Sequence, residues 1–270
     1  MAFSINTNVG AMVALQNLNI TGKNLEKTQL QVTTGLRVNG PKDDGATFAI
    51  AQNMRGEIAG MKAVKTALAN GDSTVGVAVT AGQSIADLLT EMKAKIVQAN
   101  QAGLDAASRT ALNNDFTELR SQLDTIVSTA SFNGTNLIQS TSSNLSVLST
   151  VDGSTITVSA QNMSSTGLSI QSASLLTSAN AQSALTLIDS AITSVSSKLA
   201  SLGSSANRLE VQSEFTTKLI DILKVGVGNL VDADLAEESA RLQALQIKQQ
   251  LGVQALAIAN AAPQAVLGLF

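Results

Sequence analysis

The sequence contains no cysteine and no histidine. The absence of cysteine excludes a disulfide framework, a thiolate zinc site and a thiol nucleophile. The absence of histidine excludes Ser-His-Asp, Cys-His and HExxH sites, which all depend on an imidazole. Carboxylates, lysine or a Ser-Lys pair could still support catalysis. We nevertheless predict a protein that is not an enzyme and that needs neither a cofactor nor a metal.

Aromatic residues are nearly absent as well. They make up 2% of the chain, with no Trp and no Tyr, although 44% of the residues are hydrophobic. The apolar mass is therefore aliphatic, which suits interdigitated helices better than a ligand pocket with aromatic walls. The net charge of −3 comes from mixed charges, so we expect no nucleic-acid binding. The sequence also lacks a long apolar run and an opening signal-peptide pattern, and we expect no membrane span and no such leader.

Both ends of the chain have the pattern of amphipathic helices. Apolar or small residues recur at steps of four and three from Ala11 onward and again from Leu235 onward. Such helices must bury their apolar faces, and we expect their partners to be each other and further copies of the chain. The predicted assembly residues are Leu15, Leu18, Leu25, Val32, Leu36, Leu235, Leu242, Leu245, Leu256, Leu269 and Phe270.

Three more heptad seams lie between the end helices. The first runs from Ile50 to Ala99, with Glu57, Gly71 and Gly82 as its weak points. The second covers residues 112–130, and the third covers residues 185–230. Sustained spacing of this kind predicts helices that pack along one another.

Breaks separate the inner seams from the ends. Gly40 and Pro41 interrupt the first helical pattern, and Asp43 and Asp44 follow at the start of the next helix, where negative charge is favourable. Near the other end the frame is lost after residue 230. There Asp234 and Glu237 have the spacing of a capping box. A cation site at Asp232, Asp234, Glu237 and Glu238 is the weaker alternative, because the loop lacks the glycine and the fifth-position ligand of an EF-hand.

The middle of the chain differs in composition. Nineteen of the thirty-nine residues from 140 to 178 are Ser or Thr, and only Asp152 is charged. Residues 155–158 alternate like a strand, and Asp152-Gly153 suits a hairpin turn. We predict a small β-hairpin or loop region over residues 132–178 at the tip of the helices. Its hydroxyls leave two alternatives open, an O-glycosylated surface and an unmodified one.

Together these patterns predict a mainly α fold. Three inner helices form a long antiparallel rod, with the β-hairpin region, and both chain ends form a two-helix coiled coil. The predicted modules are residues 1–42 with 231–270, for assembly, and residues 43–230, for the rod.

Four separated stretches resemble bacterial flagellin, the subunit of the flagellar filament. They are INTN at residues 5–8, TTGLRVNGPKDDGATFAIA at 33–51, SFNGTNLI at 131–138 and LAIANAAPQAVLGLF at 256–270. The resemblance implies a short flagellin without large outer domains, which polymerises with itself into a filament for swimming. It also implies unfolded export by the flagellar type III apparatus, and an extracellular location. The further partners it implies are an export chaperone, the filament cap and the hook-junction proteins.

The same resemblance bears on immune recognition. Flagellins are often recognised by an innate immune receptor through the helix that matches residues 88–98. The family pattern leads us to expect Arg at the position of Glu91 and Leu at the position of Lys95. Because both departures alter charge on that surface, we predict weak recognition.

Two other functions stay open at this point. A hook–filament junction protein shares the terminal pattern, although the complete ending at residues 260–264 favours the filament subunit. A secreted coiled-coil adhesin or scaffold would also use apolar end helices.

Overall fold

The computed structural model describes residues 7–267, with side chains through residue 261. Within that range the chain is mainly α, as the sequence predicts, with five helices and two small antiparallel sheets. The helices are α1 (Val9–Thr34), α2 (Gly45–Ala99), α3 (Ala106–Thr129), α4 (Ser178–Val231) and α5 (Leu235–Leu267). The strands are β1 (Ser131–Phe132), β2 (Thr135–Asn136), β3 (Leu145–Leu148) and β4 (Thr155–Val158).

The chain divides into two compact units. Unit 1 combines residues 1–56 with residues 222–270, and unit 2 is residues 57–221. The sequence predicts an assembly module and a rod module with boundaries at residues 42/43 and 230/231. These modules are defined by their roles in polymerisation, and they stay a prediction.

Unit 2 has a continuous aliphatic core. The first inner seam predicted from the sequence lies on the buried face of α2 from Val64 to Ala99. Phe116 and Leu123 of α3 are fully buried in the same core, as is Ile188 of α4. These helices form because their apolar residues repeat at steps of three and four, so each helix presents one apolar face to the others.

A tight hairpin follows α3. Strand β1 pairs with β2 in the register Phe132↔Thr135. Between the strands Asn133 has φ 49° and Gly134 has φ 78°. Positive φ at both central residues identifies a type I′ turn, for which Asn-Gly is the preferred pair. This hairpin was not predicted from the sequence, although the Asn133-Gly134 dipeptide is a strong signal for it.

The predicted strand and turn in the Ser/Thr-rich region are both present. Strand β3 pairs with β4 in the register Leu145↔Val158 and Leu148↔Thr155. Gly153 lies in the connecting turn with φ 91°, a conformation that glycine adopts without strain.

The location of this region differs from the prediction, because it does not form a tip. It packs along the helices of unit 2, with Val147 against α2 at Gly71 and with Asn113 of α3 accepting a hydrogen bond from Leu175 N at 2.9 Å. Ser165 donates two hydrogen bonds to the Asp124 carboxylate, at 2.8 and 2.6 Å. The segment also contributes fully buried apolar side chains to the core: Val158, Met163, Ile170 and Leu175. Scattered apolar residues without helical spacing gave no signal of this burial.

Candidate assembly interface

Helices α1 and α5 pack side by side within unit 1. Near one end of the pair, Asn8 Nδ2 donates a hydrogen bond to Ala259 O at 2.7 Å. Further along, Leu18 lies against Gly252, where an added Cβ would meet Leu18 Cδ1 at 3.2 Å. Residues of rising number on α1 thus meet residues of falling number on α5, so the pair is antiparallel.

The other end of the pair is fixed by backbone hydrogen bonds. Leu36 and Asp232 form an isolated antiparallel bridge. Arg37 N donates to Val231 O at 2.7 Å, and Ala233 N donates to Gly35 O at 2.9 Å. Gly35 ends α1 with φ 72°, which a residue with a side chain would adopt only under strain. The two breaks seen in the sequence are therefore bonded to each other.

The facing sides of the two helices carry most of the predicted assembly residues. Leu245 is buried, whereas Leu15 and Leu235 are 48% and 50% exposed. The half-buried residues are Leu18, Leu25, Val32, Leu36, Leu242 and Leu256. Leu269 and Phe270 lie outside the described residues.

Each end helix also has a second apolar stripe that faces outward, which was not predicted from the sequence. On α1 it comprises Val9, Val13 and Ile20, and on α5 it comprises Ile247, Leu251 and Ile258. Exposure reaches 65% at Val9 and 72% at Ile258. The steps within each stripe again follow fours and threes if Gln16 and Gln254 are included. An excess of apolar residues outside the first seam was the available signal. Exposed apolar side chains that line up on one face of a helix are typical of a surface that contacts another protein.

The predicted junction residues form local turns and caps. Asp44 Oδ1 accepts hydrogen bonds from Ala46 N and Thr47 N, both at 3.1 Å, at the start of α2. Hydrogen bonds from the side chain and backbone of Thr47 hold the pKa of Asp44 below its usual value. Asp43 Oδ2 accepts from Gly40 N at 3.3 Å in the turn that contains Pro41.

Asp234 begins α5 in the same way. Its Oδ1 accepts hydrogen bonds from Ala236 N at 2.9 Å and from Glu237 N at 3.3 Å. The Glu237 side chain is exposed. In the part of the chain that the structure describes, no group of three or more acidic, His or Cys side chains is placed to hold a metal ion.

The two residues of the receptor prediction lie on α2. Glu91 is exposed. Lys95 Nζ lies 2.7 Å from Asp115 Oδ2 on α3, and the hydrogen bond with Asp115 raises the pKa of Lys95.

Comparison with known protein families identifies the chain. The model of the bacterial flagellin N-terminal helical region matches residues 5–143, and the model of the bacterial flagellin C-terminal helical region matches residues 185–270. The chain belongs to the bacterial flagellin family. Flagellins are structural proteins of the extracellular flagellar filament, and this chain is a filament subunit and not an enzyme.

Its relatives are flagellins along their full length. Flagellin FljM of Caulobacter vibrioides is 47% identical, with 99% of this chain and 98% of that protein covered. Flagellin C of Rhizobium meliloti is 34% identical, with 99% of both chains covered. The flagellin of Brucella melitensis is also 34% identical with the same coverage.

A solved structure of a flagellar hook-associated protein from Vibrio parahaemolyticus is similar with a TM-score of 0.59. The match covers 70% of this flagellin and 100% of the hook-associated protein's chain. At 15% identity the likeness is one of fold alone, and it gives the junction-protein alternative no further support. No helix among residues 7–267 is long and apolar enough to cross a bilayer.

Proposed function

We propose that the α1–α5 pair is the surface through which this flagellin joins its filament. The observation that supports this proposal is the two-sided apolar character of both helices: one stripe packs α1 on α5, and the second is exposed. Burying a large aliphatic side chain contributes about 1.5–3 kcal/mol. Six such residues in the outward stripes therefore favour contact with further copies of the chain.

The end helices fold as they assemble. A pair of helices that leaves many of its apolar residues in water gains little burial free energy. That gain does not offset the conformational entropy lost when both helices become ordered. Neighbouring copies supply the missing surface, so that folding of the ends and binding are one coupled step. Contacts between different surfaces that do not close into a ring give an open helical polymer.

Seeded polymerisation tests this function. Purified chain is mixed with filament fragments, and growth is followed by electron microscopy. Replacing two exposed residues, Ile247→Ser with Ile258→Ser, should slow elongation about tenfold or more, because two buried contacts are lost. The matched control is Gln246→Ser with Gln250→Ser, which changes two exposed polar residues of the same helix outside the stripe. Elongation of the Ile variant at the wild-type rate would contradict the proposal, as would normal growth of a chain that lacks residues 261–270.

We infer the other partners from the resemblance to the family. They are the export chaperone, the export apparatus, the filament cap and the hook-junction proteins. Copy number separates the filament subunit from a junction protein, because a filament contains thousands of subunits and a junction only about a ring of them.

Recognition by the innate immune receptor should be weak. Glu91 presents a negative charge, and Lys95 is held by Asp115 on the neighbouring helix. A receptor surface that is complementary to Arg and Leu at these two positions would leave the charges of Glu91 and Lys95 without partners. A reporter-cell assay with monomeric protein should show little activation, and Glu91→Arg with Lys95→Leu should increase it. Strong activation by the unmodified chain would overturn this prediction.

A further inference from the structure

One buried charge lies in the seam between α1 and α5. The inward positions of α5 follow steps of four and three, and Glu238 occupies the first of them after the exposed Leu235. Glu238 is only 7% exposed, which makes it the most buried charged residue described in unit 1. The positions that follow it along the seam are uncharged: Leu242, Leu245, Gln249, Gly252, Leu256 and Ala259.

The carboxylate of Glu238 is only half satisfied. Oε1 lies 3.3 Å from Arg241 Nη1, on the same helix. Oε2 is buried and has no hydrogen-bond partner among the described residues. The antiparallel register places Glu238 at the level of Gln31, which is also buried but donates its Nε2 to Arg37 O at 3.0 Å. Helix α1 therefore supplies no donor to this oxygen.

A half-paired buried carboxylate opposes the packing that buries it. When α1 and α5 are apart, water solvates both oxygens of Glu238, and when they pair, Oε2 loses that solvation without a replacement. Replacing such a group by an apolar residue of similar size is often stabilising. The position near the start of α5 favours negative charge through the helix dipole. The exposed Glu237 gains the same benefit without being buried.

We propose that Glu238 is a built-in restraint on the pairing of α1 with α5, which keeps the end helices apart until further copies of the chain dock on them. This inference rests on the proposed function of the pair as the assembly surface. Docked copies cover the outward stripes and add free energy that offsets the cost of burying Glu238. The unassembled chain has no such compensation, so its assembly surface stays incomplete and uncontrolled polymerisation is suppressed.

The test compares three full-length variants as isolated monomers. Glu238→Leu removes the charge and fills the seam. Glu238→Gln keeps the size and one acceptor oxygen, replaces the other oxygen by an NH2 donor, and removes the charge. Glu237→Leu is the control, because it removes an exposed charge from the same helical turn. Amide hydrogen exchange should show protection in α1 and α5 about tenfold higher in Glu238→Leu. Glu238→Gln should show a smaller gain, and Glu237→Leu should show none.

Polymerisation without seeds gives the second readout. Glu238→Leu should shorten the lag before filaments appear, whereas Glu237→Leu should not. Protection of α1 and α5 in Glu238→Leu that equals or falls below the wild-type value would overturn the proposal. Increased protection with an unchanged lag would also overturn it, since pairing would then not limit assembly. Failure of the wild-type chain to elongate from seeds would instead refute the proposed function, while the exchange measurement on the monomer would still report on Glu238.

Discussion

At the scale of single residues, three glycines of α2 lie where other segments approach the helix backbone closely. Gly60, Gly71 and Gly82 recur every eleven residues and share one face of the helix. An added Cβ would meet a side chain of Val151 at 2.9 Å, of Val147 at 2.5 Å and of Leu199 at 2.7 Å, respectively. Two of the three positions that weaken the heptad pattern, Gly71 and Gly82, are therefore places where other segments approach the helix backbone.

The first prediction concerns the closest of these contacts. Gly71→Ala should destabilise unit 2 by about 1–3 kcal/mol, because the new methyl group overlaps Val147. Gly76→Ala is the matched control, since it lies on the same helix with nothing within 4 Å of its added Cβ. That substitution should stabilise by about 0.5–1 kcal/mol through helix propensity. Thermal unfolding followed by circular dichroism measures both changes. A Gly71→Ala midpoint at or above that of Gly76→Ala would contradict the packing.

At the scale of elements, four of the five helices begin at an Asn or Asp that accepts hydrogen bonds from the first turn. These residues are Asn8, Asp44, Asp105 and Asp234. Hydrogen bonds from the side chain and backbone of Ser108 hold the pKa of Asp105 below its usual value of 3.8. Thr47 has the same effect on Asp44. The caps satisfy amide groups that the helix itself leaves without a partner.

The lowered pKa values predict how stability depends on pH. A group whose pKa is lower in the folded state contributes stability that is complete above its unfolded pKa, here near 3.8. That contribution is lost as the pH falls through the folded value. Asp105→Ser keeps a capping oxygen that does not titrate, so its stability should fall less steeply below pH 4 than that of the wild type. Asp105→Ala should be less stable than the wild type at pH 7. Urea unfolding at pH 7, 4 and 3 checks both predictions. If the wild type and Asp105→Ser lost stability equally steeply below pH 4, the result would contradict a stabilising role for the ionised Asp105 carboxylate.

At the scale of the whole molecule, the two units differ in how their apolar residues are covered. Unit 2 buries a continuous core that includes Phe116, Leu89 and Ile188. Unit 1 exposes apolar residues along both end helices and has a charged residue in its seam. We expect the free chain to be well folded in unit 2 and easily opened in α1 and α5, since local stability follows the number of buried apolar contacts.

Limited proteolysis tests this difference in stability. Trypsin should cut the monomer first after Lys23, Lys27, Arg241 and Lys248, which lie in the end helices. The bonds after Arg120 and Lys198 should resist, because both side chains donate hydrogen bonds to the loop of unit 2, Arg120 to Gln171 O and Lys198 to Asn162 O. In assembled filaments all of these sites should be resistant. Early cleavage after Arg120 or Lys198 in the monomer would contradict this order of stability.

Sequence periodicity predicted the helical part of this fold well. The seam from Val64 to Ala99 is buried as expected, because a heptad repeat places residues on one helix face whatever their partner. Periodicity could not show that Glu238 would be buried, since its spacing also suits an exposed helix start and burial depends on the facing helix. It also could not place Met163 or Ile170, which reach the core from irregular backbone.

The crossing of α1 and α5 offers direct control over the end helices. A Cβ added at Gly252 would lie 3.9 Å from Leu18 Cβ, within the range that a disulfide bond requires. The chain has no cysteine of its own, so the double variant Leu18→Cys with Gly252→Cys would contain a single possible intramolecular bridge. Oxidation would form this disulfide and link α1 covalently to α5, and a reductant would break the bond. The timing of filament growth could then be set by redox potential, without any change in protein concentration or temperature.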